Sequence, residues 1–332
     1  MSLELGLVAA SAVIFLVAAA SASVLSSAAF PFALSPLCRL DPAMRANFLL
    51  AWSSLPGLAG ALVVCLTLAP SIIHGLGFGL DHCHSHGHHA HLCLVHTALF
   101  SGSTPERLLL GTIGVSLLAW ATVVGTRLRR QRQVLEMLLA LGSASNVEPR
   151  HSVIRSRRPF AITAGWLEPA ILISSRLLED LMPAEVSTVL AHEQAHQRRR
   201  DGLRLLAAES VSRLHWPTTR RRILGRLSLA IEQACDEVAA RHSGDRLGVA
   251  ATIVKLSRLG AGEGHSAFST SPAFTGADTA DRVQGLLQPA LVARPGIALA
   301  ALVLGALLTI AGLATGDWWH HSAESLLSLH LD

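Results

Sequence analysis

The chain has 332 residues, 51% of them hydrophobic and 15% charged, with a mean hydropathy of +0.45 and a formal charge of +4. Soluble domains carry about 25% charged residues, so the composition excludes an ordinary soluble enzyme and indicates an integral membrane protein. The positive charge is almost all arginine, since Lys255 is the single lysine, and it lies in local blocks, so direct nucleic-acid binding does not follow. Cys38, Cys65, Cys83, Cys93 and Cys235 are scattered and suggest no disulfide framework.

Four apolar stretches, 5–25, 48–69, 108–126 and 297–314, are long enough to cross a bilayer, which takes about 20 residues. The first has only Glu4 before it and no basic segment, so it reads as a retained helix and not as a signal peptide. Pro56 and Gly57 lie inside the second, where kinks are tolerated. Arg39 and Arg45 separate the first two spans, Arg127, Arg129, Arg130 and Arg132 follow the third, and Arg294 precedes the fourth. The positive-inside rule places all of these in the cytoplasm if the N-terminus is outside, with Arg107 the one exception. Segments 71–107 and 316–332 are then external, and 128–294 is cytoplasmic.

The first external segment is crowded with histidine. His82, Cys83, His84, His86, His88, His89 and His91 follow Asp81, with Cys93 and His96 just beyond, and the tail adds His320, His321, Glu324 and His330. Imidazole and thiolate suit zinc, copper and nickel. The competing reading is a solvated loop with incidental metal affinity.

Within 128–294, residues 128–141 continue the third span as an amphipathic helix and 143–149 form a turn-rich break. Short strands are expected at 153–154, 160–163 and 170–174, with a turn containing Gly165 and Pro169 between the last two. Pro183 opens a helix that Gly202 weakens or ends. Further helices are expected over 203–216, from a cap at Thr218 or Thr219 to Gly244, and over 246–259. Residues 260–280, rich in small and polar types, read as a linker.

The first long helix carries His192-Glu193-Gln194-Ala195-His196. Histidines at i and i+4 share a helix face and can grip one Zn²⁺, and the intervening glutamate is placed to act as general base on a water. A catalytic zinc has three protein ligands and an open position. Glu232 supplies a third, and Asp236, one turn on, is placed to hold a ligating histidine in one tautomer. Cys235 reads as a small buried residue. A solvated acidic patch is the commoner fate of such carboxylates, but the upstream motif favours the site. With no tyrosine in the chain, oxyanion stabilisation would fall to another donor, such as Arg241, His242 or one of Arg198, Arg199 and Arg200, and none is assigned. The hairpin 160–174 offers a strand edge for an extended substrate, or merely covers the core.

Residues 158–174 (RPFAITAGWLEPAILIS), then VLAHEQAHQRRRD from Val189 and EQACDE from Glu232, resemble the BlaR/MecR-type antirepressor metallopeptidases. The resemblance implies a membrane zinc protease with a gluzincin-type site: His192, His196 and Glu232 on zinc, Glu193 as catalytic base. It implies a cytoplasmic winged-helix repressor as substrate. Relatives that sense β-lactams carry a large outer domain with a Ser-x-x-Lys motif. Here only 316–332 follow the last span, and Lys255 has Thr252 three residues before it, so a β-lactam sensor is not expected.

The expected fold is a mainly α integral membrane protein of about four transmembrane helices, with a cytoplasmic α+β zincin-type protease domain between the third and fourth. Three units follow: a membrane region over 1–127, the protease over 128–294, and a fourth span with its tail over 295–332. The expected function is a zinc endopeptidase of the inner (cytoplasmic) membrane that relays an external signal by cutting a protein. A constitutive quality-control protease resembling the HtpX type is the alternative. A metal transporter using the histidine loop is a third reading, disfavoured because the spans hold almost no ionisable residues.

Overall fold

The computed structural model describes residues 2–75, 104–144, 150–261 and 276–291, with Gly296 and Gly312. The histidine-rich loop, the fourth apolar stretch and the tail lie outside the described residues.

Three long helices dominate the N-terminal part: α1 (Ser2–Leu37), α2 (Pro42–Gly75) and α3 (Thr104–Leu141). Among the described residues these three are long and apolar enough to cross a membrane, over Val8–Leu37, Pro42–Ala69 and Arg107–Leu141. Each outruns the span read from hydropathy, because the helix continues past the apolar window; α1 runs through Pro31 and Pro36. Asp41 starts α2: its Oδ2 accepts from the backbone N–H of Ala43 and Met44 at 3.0 and 3.3 Å, with Pro42 next to it.

A four-stranded sheet follows, ordered β1-β2-β4-β3, from β1 (Ser143–Ala144), β2 (His151–Ile154), β3 (Ala161–Ala164) and β4 (Ala170–Ser174). Pairing is parallel between β2 and β4 and antiparallel elsewhere. Ile171, Leu172 and Ile173 are buried on both faces of the central strand β4, so its apolar run is continuous. The β3–β4 turn requires Gly165, at φ +102°, where a Cβ would lie 2.7 Å from the Glu168 carbonyl oxygen. The break expected at 143–149 begins later than the sequence suggests, since Ser143 and Ala144 pair with Val153 and Ser152.

The helical body comprises α4 (Ser175–Asp180), α5 (Pro183–Arg199), α6 (Asp201–Val211), one 3₁₀ turn (Ser212–Leu214), α7 (Pro217–Ser243), α8 (Arg246–Ala261) and α9 (Gly276–Leu287). The α5–α6 break falls at Arg200, in the left-handed region at φ 50°, and not at Gly202, which lies inside α6. The helix expected over 203–216 starts at Asp201 and tightens to 3₁₀ before Pro217. Neither Thr218 nor Thr219 caps α7; Pro217 opens it after Trp216, and Gly244 at φ 71° ends it. The expected linker gives way at Gly276 to α9, a helix that its small-residue composition concealed.

Three apolar clusters hold these parts together. Phe30, Leu37, Leu40, Ala46 and Leu49 of the α1–α2 end pack with Ala208, Ile223, Leu227, Ala230 and Ile231. The membrane hairpin therefore shares a core with α6 and α7. Ile171, Ile173, Leu177, Leu181, Val189 and Leu190 bind the sheet to α5. Ala239, Ala240, Val249, Ala250, Ile253 and Leu286 join α7, α8 and α9 beside Ala191 of α5.

Candidate metal centre

The α5 helix turns His192 and His196 toward α7, and α7 presents Glu232 and Asp236 one turn apart in return. The two imidazole Nε2 atoms lie 3.1 Å apart. Glu232 Oε2 is 3.4 Å from His192 Nε2, and Glu232 Oε1 is 3.5 Å from His196 Nε2. His192, His196 and Glu232 thus form a group whose donor atoms all lie within 4.8 Å of one another. A tetrahedral zinc with bonds of about 2.0–2.1 Å keeps neighbouring donors roughly 3.3 Å apart, so this donor set fits that ion.

The opposite ring nitrogens explain why both Nε2 atoms point inward. His192 Nδ1 lies 2.9 Å from Asp236 Oδ1, and His196 Nδ1 lies 3.0 Å from Asp201 Oδ2. Each carboxylate accepts an Nδ1–H and leaves a lone pair on Nε2. No motif in the sequence marks Asp201 as a partner. It opens α6 immediately after the left-handed Arg200, and that reversal of direction brings it back to His196. It is 2% exposed and has Arg199 and Arg204 at 3.3 and 3.5 Å.

Electrostatics keep the carboxylates ionised. Burial works to raise the Glu232 carboxyl, but His196 and Arg282 overcome it and hold the group well below the usual range. Burial likewise opposes Asp236, which Arg282 and His192 nevertheless hold low, and Asp201, held low by His196, Arg199 and Arg204. For His196, burial favours the neutral ring, but its surroundings, Cys235 and Glu232 foremost, raise it well above its ordinary value. In the metal-free chain a proton therefore competes for the imidazoles, and metal binding displaces it.

Cys235 is fully buried, as expected, with Sγ 3.4 Å from His196 Nδ1 and 3.6 Å from Asp201 Oδ2. Burial pushes its thiol up to about 11. His196, Asp201 and Cys235 also lie close enough to hold an ion. That set would take Nδ1 from its carboxylate and use one histidine, so the Nε2 set is the better centre.

Glu193 is buried and sits against the sheet edge. The Thr163 hydroxyl of β3 lies 2.7 Å from Glu193 Oε2 and 2.9 Å from the Glu193 carbonyl oxygen. β3 pairs with β4 on one side and, among the described residues, ends the sheet on the other, next to α5. Of the arginines and histidines weighed as oxyanion donors, Arg199 is taken by Asp201 and His242 lies 3.4 Å from Ser187 Oγ. Arg282 of α9, which no motif marks, reaches Asp236 and Glu232. His82, Cys83, His84, His86, His88, His89 and His91 lie outside the described residues.

Residues 126–261 match the family model described as Peptidase family M48. The matched segment runs from the end of α3 through α8 and contains His192, Glu193, His196, Glu232 and Asp236. No curated protein and no solved structure matches the chain. The match indicates a metallopeptidase, and with the apolar helices it supports one of membrane type. It does not single out the antirepressor kind.

Proposed function

We propose that the protein is a membrane-anchored zinc endopeptidase whose catalytic body faces the cytoplasm and cuts an extended segment of a protein substrate. The observation that carries this reading is the convergence of His192 Nε2, His196 Nε2 and Glu232 at tetrahedral donor spacing, with Glu193 on the same helix beside β3, the last strand of the sheet among the described residues. Zinc held by these three residues would supply a Lewis acid and bring the pKa of a bound water toward neutrality. Asp236 and Asp201 hold the two rings in the ligating tautomer. Glu193 takes the proton from the attacking water and delivers it to the leaving amine. The outer edge of β3 pairs with the substrate backbone in extended form, which lays one carbonyl across the centre.

Purified variants test the roles. Glu193→Gln keeps zinc and loses peptide cleavage, because an amide accepts no proton; His192→Ala, His196→Ala and Glu232→Ala lose zinc as well. Metal content and cleavage are measured on each, and wild-type cleavage by Glu193→Gln would sink the catalytic assignment.

The substrate is proposed to be a cytoplasmic protein cut in response to an external signal, in line with the antirepressor resemblance; a winged-helix repressor is the partner it implies. The alternative is constitutive clipping of damaged membrane proteins. Full cleavage by the reconstituted enzyme without any external inducer favours the alternative and removes the signalling reading.

A further inference from the structure

We infer that Arg282 is a positioning residue of the metal centre, acting through Asp236 and Glu232 on His192. The inference rests on the zinc reading above. Arg282 Nε and Nη2 donate to Asp236 Oδ2 and Oδ1 at 2.8 and 2.7 Å, a paired fork. Its Nη1 lies 3.3 Å from Glu232 Oε2. Asp236 Oδ1 is in turn 2.9 Å from His192 Nδ1, and Glu232 Oε2 is 3.4 Å from His192 Nε2. One guanidinium therefore fixes the rotamer of the third ligand, and it also fixes the carboxylate that orients the first.

Charge balance requires a cation here. The Asp201 side of the centre has Arg199 and Arg204. On the opposite side Asp236 is buried and Glu232 is half-buried, and among the described residues Arg282 is the cation that meets both. Buried carboxylates without a partner are costly. Lysine would bring the charge but not the fork, since its ammonium is a point donor and cannot hold two oxygens in a plane.

The α9 helix is built to deliver this group. Gln233 donates to the Asp281 carbonyl at 3.0 Å, one residue before Arg282. At the other end Arg246 donates to the carbonyls of Gly285, Leu286 and Gln288 at 3.0 to 3.1 Å, and its guanidinium is forked onto Glu237. Residues 232, 233, 236 and 237 of α7 thus engage α9 along one face, directly or through Arg246. Arg282 lies on α9, beyond the segment 126–261 that matches the peptidase family.

The test uses the full chain in detergent, stripped of metal and titrated with Co²⁺, alongside zinc release to a chelator. Arg282→Lys keeps the buried charge and so keeps the fold. It is expected to release zinc about 10–100-fold faster than wild type, the usual loss when a residue supporting a ligand is changed, and to shift the visible Co²⁺ bands. In an Asp236→Asn background, Arg282→Gln should add less to the release rate than it does alone, because the route through Asp236 is already cut and only the contact with Glu232 remains. Arg282→Lys with wild-type release and wild-type Co²⁺ bands overturns the inference, and so do fully additive effects. If wild type binds no Co²⁺, or binds it equally after His192→Ala, the metal centre itself fails and the inference falls with it.

Discussion

His192 and His196 each spend Nδ1 on a buried carboxylate, and Glu193 between them spends one carboxylate oxygen on a hydroxyl. The proposed general base is thereby held in one rotamer by Thr163, a residue of a different element. Thr163→Val keeps the shape of the side chain and deletes that donor. A hydrogen bond to a charged group is worth about 1.5–3 kcal/mol, so kcat should fall about tenfold or more with zinc content unchanged. Steady-state cleavage and metal analysis on the same preparation check this, and an unchanged kcat would reduce Thr163 to a packing role. Residues of this kind show where legibility ends. His192, Glu193 and His196 were readable because a helix repeats every 3.6 residues, and Glu232 and Asp236 because they repeat that spacing on a second helix. Asp201 depends on a left-handed turn at an arginine, which no local rule favours. Thr163 and Arg282 depend on strand and helix docking across 30 and 46 residues of sequence, and nothing in their own neighbourhoods marks them.

At the scale of elements, the sheet and α5 form the unit that carries the site, and both ends of α5 are pinned. At its start Glu185 accepts from the Met182 N–H at 2.8 Å and from Lys255 Nζ of α8 at 2.6 Å. The Lys255 bond foremost, then the Met182 N–H, holds the Glu185 carboxyl below its ordinary value of 4.5. A carboxyl depressed in the folded state binds fewer protons there than in the unfolded chain. Its stabilisation is therefore present above 4.5 and is lost as pH falls through the lowered folded value. Lys255 is 37% exposed, so solvent screening limits the pair to about 0.5 kcal/mol. Glu185→Gln should cost about that much at pH 7, and the difference from wild type should shrink in acid, where wild type is protonated too. Thermal melts of the metal-free chain at both pH values measure it. A deficit that persists in acid would place the effect in packing and not in the ion pair. The strands β2, β3 and β4 were readable as short apolar runs bounded by turn residues such as Gly165 and Pro169, and most helices from Pro183 and Gly244. The α9 helix was not, because it buries little apolar surface beyond Leu286 and is docked by polar contacts.

The whole molecule is organised by which helix ends meet the catalytic body. The C-terminal end of α1 and the N-terminal end of α2 enter its core through Leu37, Leu40 and Leu49. The Trp216 N–H donates to Ser23 Oγ at 3.1 Å, and Arg127 of α3 lies 3.6 Å from Glu209 of α6. All three helices thus present to the body the ends expected of an antiparallel set with the N-terminus on the far side. The arginines follow the same division. Arg39, Arg45, Arg127, Arg129, Arg130 and Arg132 lie at the body end, and Arg107 lies at the other end of α3. The positive-inside rule reads this as a cytoplasmic body. A reporter fused at Ser145 should register as cytoplasmic, and one fused near Gly87 or after His330 as external. The same experiment bears on the histidines from His82 to His91, expected from the sequence as candidate external metal ligands. An external Gly87 keeps them where a metal outside the cell reaches them while the centre of His192, His196 and Glu232 stays on the other side. A cytoplasmic Gly87 would put histidines and protease on one side of the membrane and end the reading of an external metal site, and a reporter at Ser145 that registers as external would invert the molecule.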